Sequence, residues 1–275
     1  MDVKLQFTQL PDHEAFFWPA GEAAALLIHG FPGTPAEMRP LAKLIRDCGW
    51  SVSGLLLPGF GADIGTLEQR RYTDWTKATS AALVDLQRTH SPIVVVGFSV
   101  GGSIALHAAI EHRPDGVVLL APFWGLGNRW VNLAWPVIAR LRPRLHLLRH
   151  ADFTSPEGRQ ALQGIFGAVD LDNAEVQEQI RRLSVPSRSV GEVLQLGKKL
   201  VGKAGGLTAP ALVIQGKNDQ ITVPHRTRNL ISRFAQAPRY HEVDGGHDLI
   251  SPAEPSWSSI ARLMTEFLDF VAARK

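Results

Sequence analysis

The stretch Val94-Val95-Val96-Gly97-Phe98-Ser99-Val100-Gly101-Gly102 decides how this chain folds. A β-branched apolar run stops at a glycine, one serine follows, then two more glycines, then a helical pattern from Ser103 to His112. The order is strand, sharp turn, helix, and Gly97 to Gly101 matches G-x-S-x-G. A serine hydroxyl is a poor nucleophile until a base takes its proton. To react it must stand clear of the sheet edge, on a turn so tight that its neighbours two before and two after carry almost no side chain. The helix that starts there aims backbone N–H groups and its positive dipole end at the same point.

Outward from this turn, strand and helix patterns alternate. Glu14 to Trp18 suits an early edge strand, and Ala23 to Ile28 is a continuous apolar run, as expected of a strand buried on both faces. The loop His29-Gly30-Phe31-Pro32-Gly33 follows. Thr34 then caps a helix with Pro35 at its first position and Glu37 completing a capping box. Met38, Leu41, Leu44 and Ile45 share a face, and Gly49 ends the helix. Trp50 to Leu57 reads as a strand ending in Pro58-Gly59-Phe60-Gly61, and Thr73 to Gln87 as a helix. Val117 to Ala121 is another strand. From Phe123 to Gly206 no strand-like run is visible. Strands resume at Ala211 to Gln215 and Arg239 to Val243, before an amphipathic helix from Pro255 to Ala273. Such alternation predicts an α/β fold, a mostly parallel sheet with helices on both faces. Ligands of these sheets bind beyond the carboxyl ends of the strands.

Composition narrows the class. The 275 residues are 45% hydrophobic and 20% charged, ordinary for a globular chain with a large core. The single cysteine, Cys48, forbids an internal disulfide and reads as a packing residue; it fits a reducing compartment, here the cytoplasm. Met1 to Lys4 lacks the basic-then-apolar order of a signal peptide, and no apolar run reaches the roughly 18–20 residues of a membrane span. Net charge is +3 without Lys/Arg blocks, so no nucleic-acid partner is expected.

A serine nucleophile needs a base, and the base an orienting acid, all at one sheet edge. Of ten histidines, His247 fits best, because it follows the last strand in Asp244-Gly245-Gly246-His247. His29 lies at the same edge and is assigned to holding its loop. His107 belongs in the helix after the serine, and His225 and His241 on the surface. Asp219 follows its strand through Gly216-Lys217-Asn218; its rivals Asp244 and Asp248 lie too near His247 in the chain to approach the far ring nitrogen. Ser99, Asp219, His247 is the nucleophile, acid, base order of α/β-hydrolases. The N–H groups of Val100 and Phe31 are the candidate oxyanion donors.

On these residues the chain resembles the α/β-hydrolase superfamily over nearly its whole length. Within it, it is similar to bacterial carboxylesterases and monoacylglycerol lipases, which share the His29–Gly33 loop, the Gly97–Gly102 turn and the Pro58–Gly61 loop. The resemblance implies the α/β-hydrolase fold with a helical lid inserted after the sixth strand: a core of 1–122 and 207–275, and a cap of 123–206 over the active site. It implies cleavage of carboxylic esters through an acyl-enzyme, with Ser99, Asp219 and His247 as triad, Phe31 and Val100 as oxyanion hole, and no metal or cofactor. The partner is a small-molecule ester, lipid esters included. The superfamily also holds thioesterases, carbon–carbon bond hydrolases and catalytically silent small-molecule receptors, which stay open as alternatives.

Residues 123–206 carry 12 Lys/Arg against 7 Asp/Glu, a net of +5. Trp130, Leu133, Ala134, Val137, Ile138 and Leu141 fall at helical spacing, with Arg140, Arg142 and Arg144 after them. Either this face meets lipid or an acyl chain, or it packs on the domain below. Pro136, which interrupts a helix, favours packing.

Overall fold

The computed structural model describes residues 11–274 apart from 128, 156, 157, 160, 161, 164, 165, 167 and 168. Met1 to Lys4, read above for a signal peptide, lies outside the described residues.

The main sheet comprises β1 (Phe16–Trp18), β2 (Ala24–Ile28), β3 (Ser51–Leu55), β4 (Ile93–Phe98), β5 (Gly116–Leu120), β8 (Ala211–Gly216) and β9 (Arg239–Val243). Their spatial order is β1-β3-β2-β4-β5-β8-β9, parallel except for the edge strand β1. β2 and β4 stand centrally and are wholly buried, which is why their sequences are continuous apolar runs. Their side chains alternate between two cores. Ala24, Leu26 and Ile28 join Trp75, Leu83, Ile104 and Leu196 on one face. Ala25 and Leu27 join Met38, Leu41, Ile260 and Phe267 on the other. Helices α2 (Tyr72–Gln87) and α3 (Val100–His112) cover the first face, and α1 (Pro35–Asp47) and the C-terminal helix (Trp257–Ala272) the second.

Local signals explain most boundaries. Thr34 caps α1, its hydroxyl accepting from Ala36 N–H at 3.4 Å, and Pro35 opens the helix. Gly49, at φ +84°, stops it where a side chain would be strained. The capping box expected of Glu37 does not form. Its carboxyl instead accepts from Gly30 N–H at 2.5 Å, because the His29–Gly33 loop turns that amide into the fold, where it needs an acceptor. Cys48 packs as expected, its sulfur 3.6 Å from Thr265 Oγ1. A 3-10 helix at Gly61–Gln69, unexpected from sequence, follows the Pro58–Gly61 loop.

After β5 the chain leaves the sheet. It forms α4 (Arg129–Leu141), β6 (Arg144–Leu145), α5 (Ala174–Arg182), β7 (Val185–Pro186) and α6 (Ser187–Lys203), then returns through β8. Among the described residues the insertion follows the fifth strand of the main sheet, where the resemblance implied the sixth. β6 and β7 pair antiparallel over two residues, too few to give a strand periodicity in the sequence. The insertion has a small core of its own around Phe153, Leu162, Phe166, Leu171 and Ile180.

The packing expected of the α4 apolar stripe is not found. Trp130, Leu133, Val137 and Leu141 are 62–77% exposed. The half-covered positions are Val131, Asn132, Trp135, Ile138 and Ala139, so of the predicted stripe only Ile138 is partly covered. Trp135 donates its indole N–H to Ser187 O at 3.0 Å and lies on Gly191 of α6. A partner residue so small lets the larger ring dock there and turns the stripe outward. No helix among the described residues is long and apolar enough to cross a membrane.

Candidate active site

The loops after β2, β4, β5, β8 and β9 gather at one sheet edge, as a parallel sheet requires. Ser99 sits between β4 and α3 at φ 53°, ψ −117°, a conformation that costs a non-glycine residue about 1–3 kcal/mol. The surroundings hold it there: Ser99 N–H donates to Leu120 O at 2.9 Å, and Ser99 O accepts from Phe123 N–H at 2.9 Å and Gly102 N–H at 3.0 Å. The two glycines of the motif are demanded by close approach. A Cβ on Gly97 would lie within 3.0 Å of Gly101 O, and one on Gly101 within 3.0 Å of both Ile28 O and His29 O. The motif therefore packs the serine turn directly on the end of β2.

His247 and Asp219 meet Ser99 there. Ser99 Oγ and His247 Nε2 are 3.0 Å apart, and His247 Nδ1 and Asp219 Oδ2 are 2.8 Å apart. These are hydrogen-bond distances in the arrangement of a Ser-His-Asp triad. The Phe98 ring lies 5.1 Å from the imidazole, centroid to centroid, and limits its swing.

Asp219 is almost wholly buried, and its carboxylate is saturated with donors. Oδ1 accepts from Ile221 N–H and Thr222 N–H, both at 2.8 Å. Oδ2 accepts from Thr222 Oγ1 at 2.6 Å and Gln215 Nε2 at 3.0 Å, besides His247. Burial alone pushes its pKa up; the hydrogen bond and charge of His247, with the Thr222 hydroxyl and N–H, outweigh it and hold the carboxyl below its ordinary value. Gln215 is in turn oriented by Thr227, whose hydroxyl donates to Gln215 Oε1 at 2.6 Å.

The rival acids point elsewhere. Asp244 pairs with Lys217 Nζ at 2.6 Å on the surface, and Asp248 turns to the N–H of Ile250. His29 is fully buried, donates through Nδ1 to Gly30 O at 2.8 Å and accepts Leu57 N–H on Nε2 at 3.2 Å. Burial lowers its pKa to about 4, so it stays neutral and serves as a brace. His107 lies beside Glu111 on α3, and His225 and His241 are exposed, as expected.

The His29–Gly33 loop runs beside the serine: a Cβ on Gly30 would lie 3.4 Å from Ser99 Cβ and 3.3 Å from the Phe98 ring. Phe31 packs edge-on against Phe60 at 5.7 Å, and Trp75 lies 6.4 Å beyond, tying this loop to the Pro58–Gly61 loop. Trp75 also donates its indole N–H to Pro58 O at 3.0 Å. Val100 is the first residue of α3.

Four residues of this site escape sequence reasoning: Glu37, Gln215, Thr222 and Thr227. Gln215 carried a readable signal, a polar residue closing the apolar strand Ala211–Ile214. Thr222, three residues after Asp219, fits an Asx-type turn that would have marked it.

Comparison with known proteins agrees with this architecture. A family model described as serine aminopeptidase, S33 matches residues 20–251. A thermostable monoacylglycerol lipase of Bacillus sp. (strain H-257) is 28% identical over 221 residues, 80% of this chain and 79% of that protein. A structure of the metagenome-derived lipolytic enzymes LipS and LipT superposes with TM-score 0.74 at 18% identity, covering 96% of this chain and 99% of that one. The monoacylglycerol lipase of Paleococcus ferrophilus superposes with TM-score 0.71 at 18% identity, over 94% and 98%. With the match spanning every strand of the main sheet except the edge strand β1, the serine turn and the histidine loop, the chain belongs to the serine aminopeptidase S33 family of α/β-hydrolases.

Proposed function

We propose that the protein hydrolyses carboxylic esters of small to medium acyl chain, with Ser99 as nucleophile, His247 as base and Asp219 as the acid that orients it. The observation that carries this is the continuous chain of hydrogen bonds from Ser99 Oγ through the imidazole to Asp219. His247 Nε2 takes the Ser99 proton as the hydroxyl attacks the ester carbonyl. The imidazolium is stabilised by the buried carboxylate on Nδ1, then protonates the departing alcohol. Water, deprotonated by the same nitrogen, resolves the acyl-enzyme, and Ser99 recovers its proton. The N–H groups of Val100 and Phe31 receive the tetrahedral oxyanion; the close run of the Gly30 loop past Ser99 supports Phe31 in that role. A monoacylglycerol ester as substrate is favoured by the similarity to the Bacillus lipase.

Residues 123–206 act as a cap on a core of 1–122 and 207–275. Its small separate core and its departure from the sheet next to the serine turn support that reading. The exposed α4 stripe, with Arg140, Arg142 and Arg144 behind it, suits contact with aggregated lipid ester. The unpaired Cys48 suits a reducing compartment, the cytoplasm.

The test is a chain-length series of p-nitrophenyl esters and monoacylglycerols, with Ser99→Ala as control and mass spectrometry after a fluorophosphonate probe. Covalent labelling at Ser99 and loss of turnover in Ser99→Ala are expected. A folded wild-type protein that is neither labelled nor active would instead be a receptor on a hydrolase fold.

A further inference from the structure

A cleft of about 1170 Å³ opens between α4 and α6. Its apolar walls include Trp124, Leu133, Trp135 and Leu194. Its charged lining is lopsided: Arg188, Lys198, Lys199 and Arg226 stand against a single carboxylate, Glu192. Glu192 is buried and occupied, accepting from Tyr72 N–H at 3.1 Å. None of the four cations has an ion-pair partner among the described residues.

Arg226 is the deepest of them. Its guanidinium lies over the Trp124 ring, 4.5 Å from the centroid, and beside Gly125, whose φ of +151° lets backbone and guanidinium approach. Nη1 is buried and has no hydrogen-bond partner among the described residues. A buried donor left unpaired destabilises the fold, and more so when it is charged. The Trp124 indole donates to Arg226 O at 3.2 Å, and Asn132 pins the adjoining loop through Leu126 N–H and O. The floor is thus built, and it adjoins the reacting edge: Trp124 follows the residue whose N–H binds Ser99 O, and Arg226 stands in the first turn of the helix Pro224–Ile231, which begins two residues after Thr222.

We infer that this cleft is a binding site for an anionic amphiphile, a carboxylate or phosphate monoester head held by Arg226 with Lys198, Lys199 and Arg188 while its chain lies on the tryptophan and leucine walls. This goes beyond the ester-hydrolase reading, because binding is measured without turnover.

The experiment titrates Ser99→Ala protein with octanoate, octyl phosphate and neutral octyl glucoside below their micelle concentrations, by calorimetry and tryptophan fluorescence. Anion binding about tenfold or more tighter than the glucoside is expected, as one charge-assisted hydrogen bond supplies. Octanoate alone binding would identify the acid that ester hydrolysis releases; octyl phosphate binding would identify a phosphorylated amphiphile. Arg226→Met should remove most of the preference. Lys198→Gln/Lys199→Gln, on exposed positions that do not carry the fold, should weaken both anions several-fold and leave the glucoside unchanged. Equal affinity for the anions and the glucoside, or anion binding unchanged in the double lysine variant, overturns the inference. Because the readout is binding, its failure leaves the hydrolytic reading standing, and inactivity toward esters leaves this one standing.

Discussion

Replacing Asp219 with Asn keeps the shape of the site and changes one property, the direction of a hydrogen bond. Oδ1 of Asp219 accepts two backbone N–H groups, from Ile221 and Thr222. An asparagine must therefore keep its carbonyl oxygen there and place its NH₂ where Oδ2 now stands. That position faces the Thr222 hydroxyl at 2.6 Å, Gln215 Nε2 at 3.0 Å and His247 Nδ1 at 2.8 Å. Gln215 cannot turn away, because Thr227 donates to its carbonyl oxygen. The NH₂ can be satisfied by His247 only if Nδ1 becomes an acceptor, which puts the ring proton on Nε2. Nε2 then donates to Ser99 Oγ instead of accepting its proton, and general-base catalysis stops. The same exchange in a serine protease, the worked case in general accounts of the triad, lowers kcat about 10⁴-fold, or about 5 kcal/mol of barrier. A loss of that order is expected here. The donor–donor contact at Gln215 adds a stability cost of about 1–3 kcal/mol. The assay is kcat on p-nitrophenyl butyrate with circular dichroism and thermal melting in parallel. Activity within about tenfold of the parent in a folded Asp219→Asn protein would refute the assigned tautomer and the role of the acid, since it falls far short of the expected loss.

Thr222→Val should cut activity less than Asp219→Asn, because it removes one donor to Oδ2 and leaves His247 in place; equal losses would show that Thr222 does more than hold the acid. Gly101→Ala should lower the melting temperature and abolish turnover together, since its Cβ meets the carbonyl oxygens of Ile28, the last residue of β2, and of His29 after it, and overpacking of this kind costs about 1–3 kcal/mol or more; an active, unshifted variant would contradict the packed turn. Burial raises the Glu37 pKa to about 8, against the hydrogen bond from Gly30, with Asp248 adding to the rise. The folded state therefore holds a proton that the unfolded state has already lost. Stability conferred by the neutral carboxyl should fall as pH rises from about 4.3, the unfolded value, to about 8. Glu37→Gln, which keeps the acceptor, should flatten that part of the stability–pH curve, measured by denaturant midpoints; an unchanged slope would refute it. Trp75→Ala should destabilise by about 3–5 kcal/mol, as its fully buried ring supports both the Phe31 and Pro58–Gly61 loops; a loss under 1 kcal/mol in urea unfolding would contradict that packing.

What was legible in the sequence was whatever local chemistry compels. Strands buried on both faces must be apolar throughout, so β2, β4, β5 and β8 announced themselves. A serine on a strained turn needs glycines two before and two after it. In a parallel sheet every strand-end loop lies at one edge, which is why Ser99, Asp219 and His247 could be paired across 148 residues of chain before any distance was known. Side-chain partnership across the fold was not legible. Glu37 has the spacing of a capping residue, yet the path of the preceding loop sends it to Gly30. The α4 stripe has the periodicity of a packed face, yet Gly191 on α6 admits Trp135 and rotates that stripe into solvent. The donors around Asp219 and the uncompensated cations of the α4–α6 cleft likewise come from elements distant in sequence. Periodicity reports which residues share a face; only the packed neighbour decides which face is covered, because burial is a property of two surfaces and a sequence describes one at a time.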